Sequence, residues 1–539
     1  MKRIMCVLFV IFSLQFHAQS QNVGIGTTTP KARLHVTDSS VLFSAPGDIP
    51  AAAHNTPISL GGRRLMWYPD KAAFRVGYTV YDEWDSVNIG KYSIGMGYGN
   101  YATGKYSASI GHGSGASGIS SFATGELTNA QGNYTFTTGQ YTTGKGAWSF
   151  AAGYQSNAKN IAGIAMGYNA IAGGNYAVAL GNNAFANGNY SCAFGNNAAS
   201  LGDYSSALGS NTSASGNYSF AAGNTANAVG IGSAAVGYIT NAGGDYSFAA
   251  GVGGKANGYA SFASGSFTIA SGDHSTAMGD NCTASGQYSF AEGVGAKANA
   301  QLSVAIGTNV TATGDNSMIF GANLFDGGHK GNAMFGDTDP WNAGSVGSGT
   351  NDQMICRFTN GYYFITGGNT NRTGIVANHG DNSWSAISDS TKKEKVLPVN
   401  GEEFLHKISQ FKLATWNYKG QDSKTFRHYG PMAQDFHNAF GHDALGNIGC
   451  DTLINQQDFL GVSFIAIQAL EKRTEKIEVQ QKQLSVLLKQ NEALTANNEK
   501  LQKQLQTLMS TVVFLNKKVE EMALSKKKNN SSGNLTANK

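Results

Sequence analysis

Asp203-Tyr204-Ser205-Ser206-Ala207-Leu208-Gly209-Ser210-Asn211-Thr212-Ser213-Ala214-Ser215-Gly216 is followed at once by Asn217-Tyr218-Ser219-Phe220-Ala221-Ala222-Gly223-Asn224-Thr225-Ala226-Asn227-Ala228-Val229-Gly230. The second stretch restates the first fourteen residues on: Tyr218 for Tyr204, Ser219 for Ser205, Ala221 for Ala207, Gly223 for Gly209. The same clock runs from residue 92 to 321 without a slip. One glycine series begins at Gly97 and ends at Gly321. A second, seven residues on, runs from Gly104 to Gly314 and is broken only by Asn160 and Ala300. Two residues before each glycine sits a small residue, mostly Ala. Four before the first glycine is usually Ser, and five before it often Tyr, as at Tyr190, Tyr204, Tyr218 and Tyr246.

Each half-repeat has room for one short strand and one turn that glycine permits. Strand side chains alternate faces. In the stretch 218–223, Ser219 and Ala221 therefore share one face, and Tyr218, Phe220 and Ala222 the other. A face of Ser and Ala lets another layer approach closely. Two strands per coil, stacked in parallel over seventeen coils, give about 80 Å at a spacing of about 4.8 Å. Such a thin coil encloses little core, so repeat coils of this kind need neighbours and caps. Several chains side by side meet that need.

Composition excludes other classes. The 539 residues hold 70 Gly, 8 Pro and 5 Cys, with no G-X-Y period, which excludes collagen. Hydrophobic content of 41% with 11% aromatic argues against disorder, as does the strict phase. A net charge of +4 is too weak for a nucleic-acid partner. Calcium-binding nonapeptide coils need a period of nine with recurrent Asp, which is absent. Residues 113–118 fit G-x-G-x-x-G but belong to the repeat and follow no βα unit. The tyrosines read as a stacked structural ladder rather than a ligand stripe. Cys192, Cys282, Cys356 and Cys450 show no pairing pattern and no zinc spacing, and His437 and His442 read as incidental. No metal and no cofactor is expected.

The ends differ from the clock. Lys2 and Arg3 precede an apolar run over 4–16, with a cleavage position near Ala18 or Ser20: an export signal. No later stretch is apolar enough for a membrane span. Residues 63–68 and 73–76 read as a capping β element. Residues 354–358 and 362–365 read as strands of one hairpin around Asn360-Gly361. Phe404, Leu405 and Ile408 suggest a short helix, and 411–418 a strand. From Leu470 one heptad series holds Ile477, Leu484, Asn491, Asn498, Leu505, Val512 and Val519. The other holds Arg473, Gln480, Leu487, Leu494, Leu501, Leu508, Leu515 and Met522. This pattern predicts a coiled coil, with Asn at core positions fixing register.

The segment 92–321 resembles the head of trimeric autotransporter adhesins, whose repeats read S-x-A-x-G and then x-A-x-G. Ser303-Val304-Ala305-Ile306-Gly307 and Ala312-Thr313-Gly314 match it. The resemblance implies a left-handed parallel β-roll that trimerises and often binds host matrix or other cells. The opening at 22–36 looks like that of phage-tail-fibre-like secreted proteins.

Residues 385–525 resemble the intramolecular chaperone of endosialidase-type phage tail spikes. Its S-D-x-x-x-K matches at Ser388 and Lys393, with Thr391 where that family usually has Arg. Its R-H-x-G-x-x-A-Q matches at 427–434, and its G-V-x-Y at 461–464 ahead of the terminal helix, with Phe464 for Tyr. The resemblance implies a domain that assembles three chains and then cuts itself off between Ile387 and Ser388. Ser388 would be the nucleophile, Lys393 the base, and His428 and Gln434 supporting groups.

The expected protein is mainly β: a trimeric, left-handed parallel β-roll with a small α+β chaperone and a C-terminal coiled coil. The expected division is 1–20 signal peptide, 21–91 β cap, 92–321 head repeats and 322–387 β-rich stem. There follow 388–468 chaperone and self-cleaving serine peptidase, 469–525 coiled coil, and 526–539 disordered tail. The expected function is a secreted or cell-surface homotrimeric fibre that cleaves itself once, with a glycan or matrix protein as a further partner. The competing classes are a tail-spike-like glycan-degrading enzyme and a scaffold that never cleaves.

Overall fold

A computed structural model describes residues 22–57, 61–337, 346–367 and 372–530. The predicted export signal lies outside the described residues. The chain divides after Asn360 into two compact units.

The first unit is a β-solenoid of about 22 turns. Each coil carries one five-residue and one two-residue strand, as in Phe220–Asn224 and Asn227–Ala228. Through the repeats each strand pairs in parallel with its counterpart fourteen residues on: Ala207 faces Ala221, which faces Ala235. The stack is longer than the clock alone predicts. It begins at Ala73–Thr79, parallel to Ile94–Tyr98, and continues through Ala333–Gly336 to Met354–Arg357. Met354–Arg357 is therefore a rung of the solenoid, while Gly361–Ile365 pairs antiparallel with Gly374–Asn378. The hairpin expected around Asn360-Gly361 does not form, because Met354–Arg357 pairs back with the preceding rung and Gly361–Ile365 pairs forward with Gly374–Asn378.

The inward face is as predicted. Ala207, Ala221 and Ala235 from the long strands, and Ala214, Ala228 and Ala242 from the short ones, are fully buried. Inward serines bring a hydroxyl into this apolar column, where an unpaired polar group is costly. Ser205, Ser219 and Ser233 meet that cost by donating to the carbonyl three residues back, at Gly202, Gly216 and Gly230, at 2.6–2.7 Å.

The turns differ from expectation. Tyr218 is not on the strand; it stands before it with φ +60°, and Tyr190 and Tyr204 do the same at +57°. The other turn of each coil carries Asn197 or Asn211 at φ +51° and +53°. A left-handed Asn is common, but a left-handed Tyr needs compensation. The rings supply it. Tyr176, Tyr190, Tyr204 and Tyr218 stack with centroids 4.9–5.1 Å apart and within 6° of parallel. Asn169, Asn183, Asn197 and Asn211 form a matching amide ladder at 2.9–3.1 Å.

Glycine is needed mainly for coil-to-coil approach. A Cβ on Gly209 (φ +121°) would lie 2.0 Å from the Gly223 carbonyl oxygen. On Gly202, whose φ is ordinary, a Cβ would lie 2.1 Å from the Gly216 oxygen.

Both ends are plugged. Gly62–Tyr68 folds antiparallel onto Ala73–Thr79. From there the fully buried Arg75 donates to the carbonyls of Phe74, Ser93 and Ala102 and to Ser93 Oγ, at 2.9–3.1 Å. Burial pulls its pKa down to about 10, which leaves it cationic at neutral pH. At the far end the core widens to Ile319, Leu324 and Met334. Arg357 donates to the Ala322 carbonyl at 2.9 Å and pairs with Asp337 at 3.2 Å.

In the second unit, strands Gly361–Ile365, Gly374–Asn378 and Ser385–Ala386 form an antiparallel sheet in that order. Three helices follow: α1 (Gly401–Ser409), α2 (Ala433–Phe440) and α3 (Gln456–Asn530). A two-stranded sheet pairs Ala414–Trp416 with His428–Gly430. The predicted strand 411–418 shrinks to its centre. The terminal helix starts earlier than the heptads suggest, so residues 461–464 lie inside it. It also runs past Lys526, where the tail was expected to begin. Among the described residues no helix is long and apolar enough to cross a membrane.

Gly209→Ala forces a Cβ into the next coil at an unfavourable φ, a cost of about 3 kcal/mol or more. Asn211→Gly, at a left-handed position, should stay within about 1 kcal/mol of the parent. Denaturant midpoints of the two variants check the contrast: only the first should fall markedly.

Candidate active site

Ser385–Ala386 is the outer strand of the three-stranded sheet, with Ala386 opposite Ile375. Ile387 extends the pairing by one bond, its N–H donating to the Gly374 carbonyl at 3.1 Å. The backbone is thus held up to the Ile387–Ser388 peptide bond and then released. A cleft of about 610 Å³ adjoins this strand, lined by Phe364, Ile375, Trp384 and Ala386. Asn455, Gln456 and Gln457, at the start of α3, close its other side. Asn455 Oδ1 accepts the Gln457 N–H at 2.8 Å, capping the helix there.

Past Ser388 the chain makes one 3₁₀ turn, Ser390–Lys392. Asp389 caps it: Oδ1 accepts the Thr391 N–H at 2.9 Å and the Thr391 hydroxyl at 2.8 Å. The Thr391 N–H, then its hydroxyl, hold the Asp389 carboxyl below the usual range. Lys393 leaves the turn extended and its Nζ donates to Ser388 Oγ at 2.6 Å. Both side chains are exposed in the single chain. The structure therefore brings together the predicted nucleophile and the predicted base.

It does not bring the two supporting candidates to them. His428 stacks on Trp416, centroids 4.7 Å apart, with Tyr418 at its edge. Gln434 is exposed in the first turn of α2. Neither hydrogen-bonds Ser388 or Lys393 among the described residues. Their motif instead builds the domain. Arg427 donates to Asn417 Oδ1 at 3.0 Å and Thr415 Oγ1 at 2.6 Å, tying the small hairpin, and Ala433 opens α2. His437 and His442 lie with ring centroids 5.1 Å apart, and His442 bonds Asn447.

An aromatic cluster anchors this scaffold. Phe440 contacts Phe404 of α1 at 4.8 Å, Phe411 at 5.9 Å and Phe436 at 5.4 Å, and Phe436 reaches Phe459 of α3 at 5.9 Å. Gly401 lets α1 close on α3, since a Cβ there would stand 2.8 Å from Ala469 Cβ. Glu402 pairs with Arg473 at 2.6 Å. Arg473, read from the heptads as a core position, is thus engaged within its own chain. Asp389 and Trp416 were not singled out from sequence, and Thr391 was read only as a departure from a motif.

Residues 388–444 match the family described as chaperone of endosialidase, and the match starts at Ser388 itself. Within 89–323, seven overlapping or separate segments match the YadA head domain repeat: 89–114, 172–198, 200–226, 256–281, 270–296, 284–317 and 298–323. In chain order the protein resembles first an adhesin head and then an endosialidase chaperone. Head repeats of this kind point to an adhesin-like fibre at the surface or secreted, and the adhesin family suggests a homotrimer. The chaperone family assembles trimers and cleaves itself. No curated protein matches the chain.

Phe440 is 6% exposed, so Phe440→Ala should cost about 3–5 kcal/mol. Hydrogen exchange in the full chain checks this: residues 400–470 should lose protection while the solenoid keeps it.

Proposed function

We propose that this is a secreted homotrimeric adhesin-like fibre whose C-terminal chaperone assembles it and then cleaves between Ile387 and Ser388. The observation that carries the cleavage is the 2.6 Å contact between Lys393 Nζ and Ser388 Oγ at the end of the paired strand. Ser388 Oγ attacks its own upstream carbonyl carbon at Ile387. Lys393 takes the hydroxyl proton and returns it to the departing backbone nitrogen, so an ester replaces the peptide bond and Ser388 gains a free amine. Water then hydrolyses the ester, leaving a carboxylate at Ile387 and restoring the Ser388 hydroxyl.

A lysine base must first lose its own proton, which desolvation favours. Ser388 and Lys393 are exposed in one chain. Cover from neighbouring copies supplies that desolvation, so assembly precedes cleavage.

Two surfaces support the trimer. Outward positions of the long strands run Met166, Leu180, Phe194, Leu208, Ala222, Val236, each facing the next across a coil. Met166, Phe194 and Val236 remain 36–40% exposed in a single chain. On α3, Leu484, Leu487, Leu494, Leu501, Leu505 and Leu508 are all exposed. An apolar stripe of this length at heptad spacing is the seam of a coiled coil. The tyrosine rings cover one another's faces and present edges, which suits a structural ladder better than a glycan platform.

Ser388→Ala should give only full-length chain on a denaturing gel, where the parent gives a fragment starting at Ser388. A fragment from the variant would overturn the nucleophile assignment. Leu494→Asp with Leu501→Asp should abolish both the trimer on size-exclusion chromatography and the cleavage. Cleavage by the resulting monomer would sink the order of events.

A further inference from the structure

We propose that Thr391 is a positioning residue for this cleavage: its hydroxyl, on Asp389, holds the turn that returns Lys393 to Ser388. The inference rests on the reading of Ser388 and Lys393 as the cleaving pair and adds a residue to it.

Five residues of extended chain would carry Lys393 about 17 Å beyond Ser388. The observed 2.6 Å contact needs a compact return. That return is a single 3₁₀ turn, closed by Lys392 N–H to the Asp389 carbonyl at 3.1 Å and Lys393 N–H to the Ser390 carbonyl at 3.2 Å. One such turn, exposed and with no buried residue, has poor hydrogen-bond geometry and little to sustain it. Asp389 supplies the rest. Its Oδ1 takes two donors from one residue, the backbone N–H and the side-chain hydroxyl of Thr391. The N–H is available from any residue but proline. The hydroxyl is not, and it locks the Thr391 side chain against the same charged oxygen. Hydrogen bonds to an ionised acceptor are the stronger kind. Lys392, next in the chain, adds a favourable charge to the same carboxylate. Lys393 then leaves the turn with extended backbone (φ −111°, ψ 140°) and its side chain aimed back at Ser388.

Thr391→Val keeps the shape and removes the hydroxyl; Thr391→Ser keeps the hydroxyl and trims the methyl. Fragment release is followed over time on the trimer fraction of the full chain, isolated by size-exclusion chromatography. Thr391→Val should slow release about tenfold, the loss of one charge-assisted hydrogen bond. Thr391→Ser should stay within about threefold of the parent. Asp389→Asn, which keeps an acceptor but removes its charge, should fall between them and covers the case in which Thr391→Val yields no trimer. Thr391→Val at the parent rate, or Thr391→Ser as slow as Thr391→Val, would overturn the inference. Ser388→Ala separates the two levels. If it still releases fragment, the cleaving pair itself is wrong; if it is inert while Thr391→Val is normal, only the role of Thr391 fails.

Discussion

Successive coils of the solenoid stand one strand spacing apart, and at two points per coil their backbones touch with no room for a Cβ. At Gly209 a methyl would sit 2.0 Å from the next carbonyl oxygen, and at Gly202 2.1 Å. Much else follows from that contact. A coil this flat has little room inside, so through most of the repeats its axis is a column of alanines broken by capped serines, and side chains as large as Ile319, Leu324 and Met334 enter where the core widens at the far end. A buried methyl contributes about 0.8 kcal/mol, so such a column is a weak core. Stability must come from the hydrogen-bonded ladders, from the stacked Tyr and Asn columns outside, and from apolar columns such as Met166, Leu180 and Phe194 that one chain leaves half covered. Close backbone approach thus leads, step by step, to a surface that calls for further copies.

A ladder of parallel strands has two open ends, each a template for unwanted pairing. The chain closes both with an arginine that satisfies carbonyls. Arg75 is buried whole under an antiparallel hairpin, and Arg357 lies against Ala322 and Asp337. Buried carboxylates perform the complementary task for N–H groups. Glu83 accepts from Thr79, Val80 and Tyr81. Asp326 accepts from Thr313, Gly314 and Gly328. Burial alone would raise Asp326, but these donors hold it below the usual carboxylate range.

Periodicity made the coil legible. Period, strand pair, inward Ala and Ser, and stacking register all read directly from the fourteen-residue clock. What periodicity could not show was which residue takes the left-handed turn. Glycine is the default guess, and Gly232 and Gly253 do take it, but Tyr218, Asn211 and most other coils fill it with a side chain, while the two periodic glycines serve coil-to-coil contact. Tertiary pairing misled the local reading at 354–365, where an Asn-Gly hairpin signal was overridden by longer-range partners. The first rung, Ala73–Thr79, lacks the motif, so the sequence marks it only as part of a cap and not as a member of the stack. At the candidate site, Ser388 and Lys393 were legible as a spaced motif, but Thr391 looked like a defect. Its hydroxyl has a meaning only once the turn brings Asp389 to it. Arg473 fits a heptad and still belongs to Glu402, because α1 covers that part of α3.

The same periodicity creates a problem that the solenoid cannot solve by itself. If identical solenoids lie side by side, sliding one by a whole coil sets Tyr against Tyr, Ala against Ala and Gly against Gly again. Most of the interface is unchanged, so the slip costs little beyond the unmatched end coils. Register is weakly specified wherever a pattern repeats without a unique mark. The unique marks lie outside the repeats. In α3 the core series changes from Leu484 to Asn491 and Asn498 and back to Leu505. A buried Asn tolerates one alignment and penalises the others. A helix bundle of local contacts also forms faster than a long-range parallel β structure. In the proposed trimer the helix would thus align the chains before the coils commit, and the solenoids would then zip in the register they are handed. After such an assembly the mark would have no further use, because separating the rods would mean unzipping every coil. On the proposed reading, removal of the aligning module at Ser388 would turn a register chosen at equilibrium into one held by a kinetic barrier.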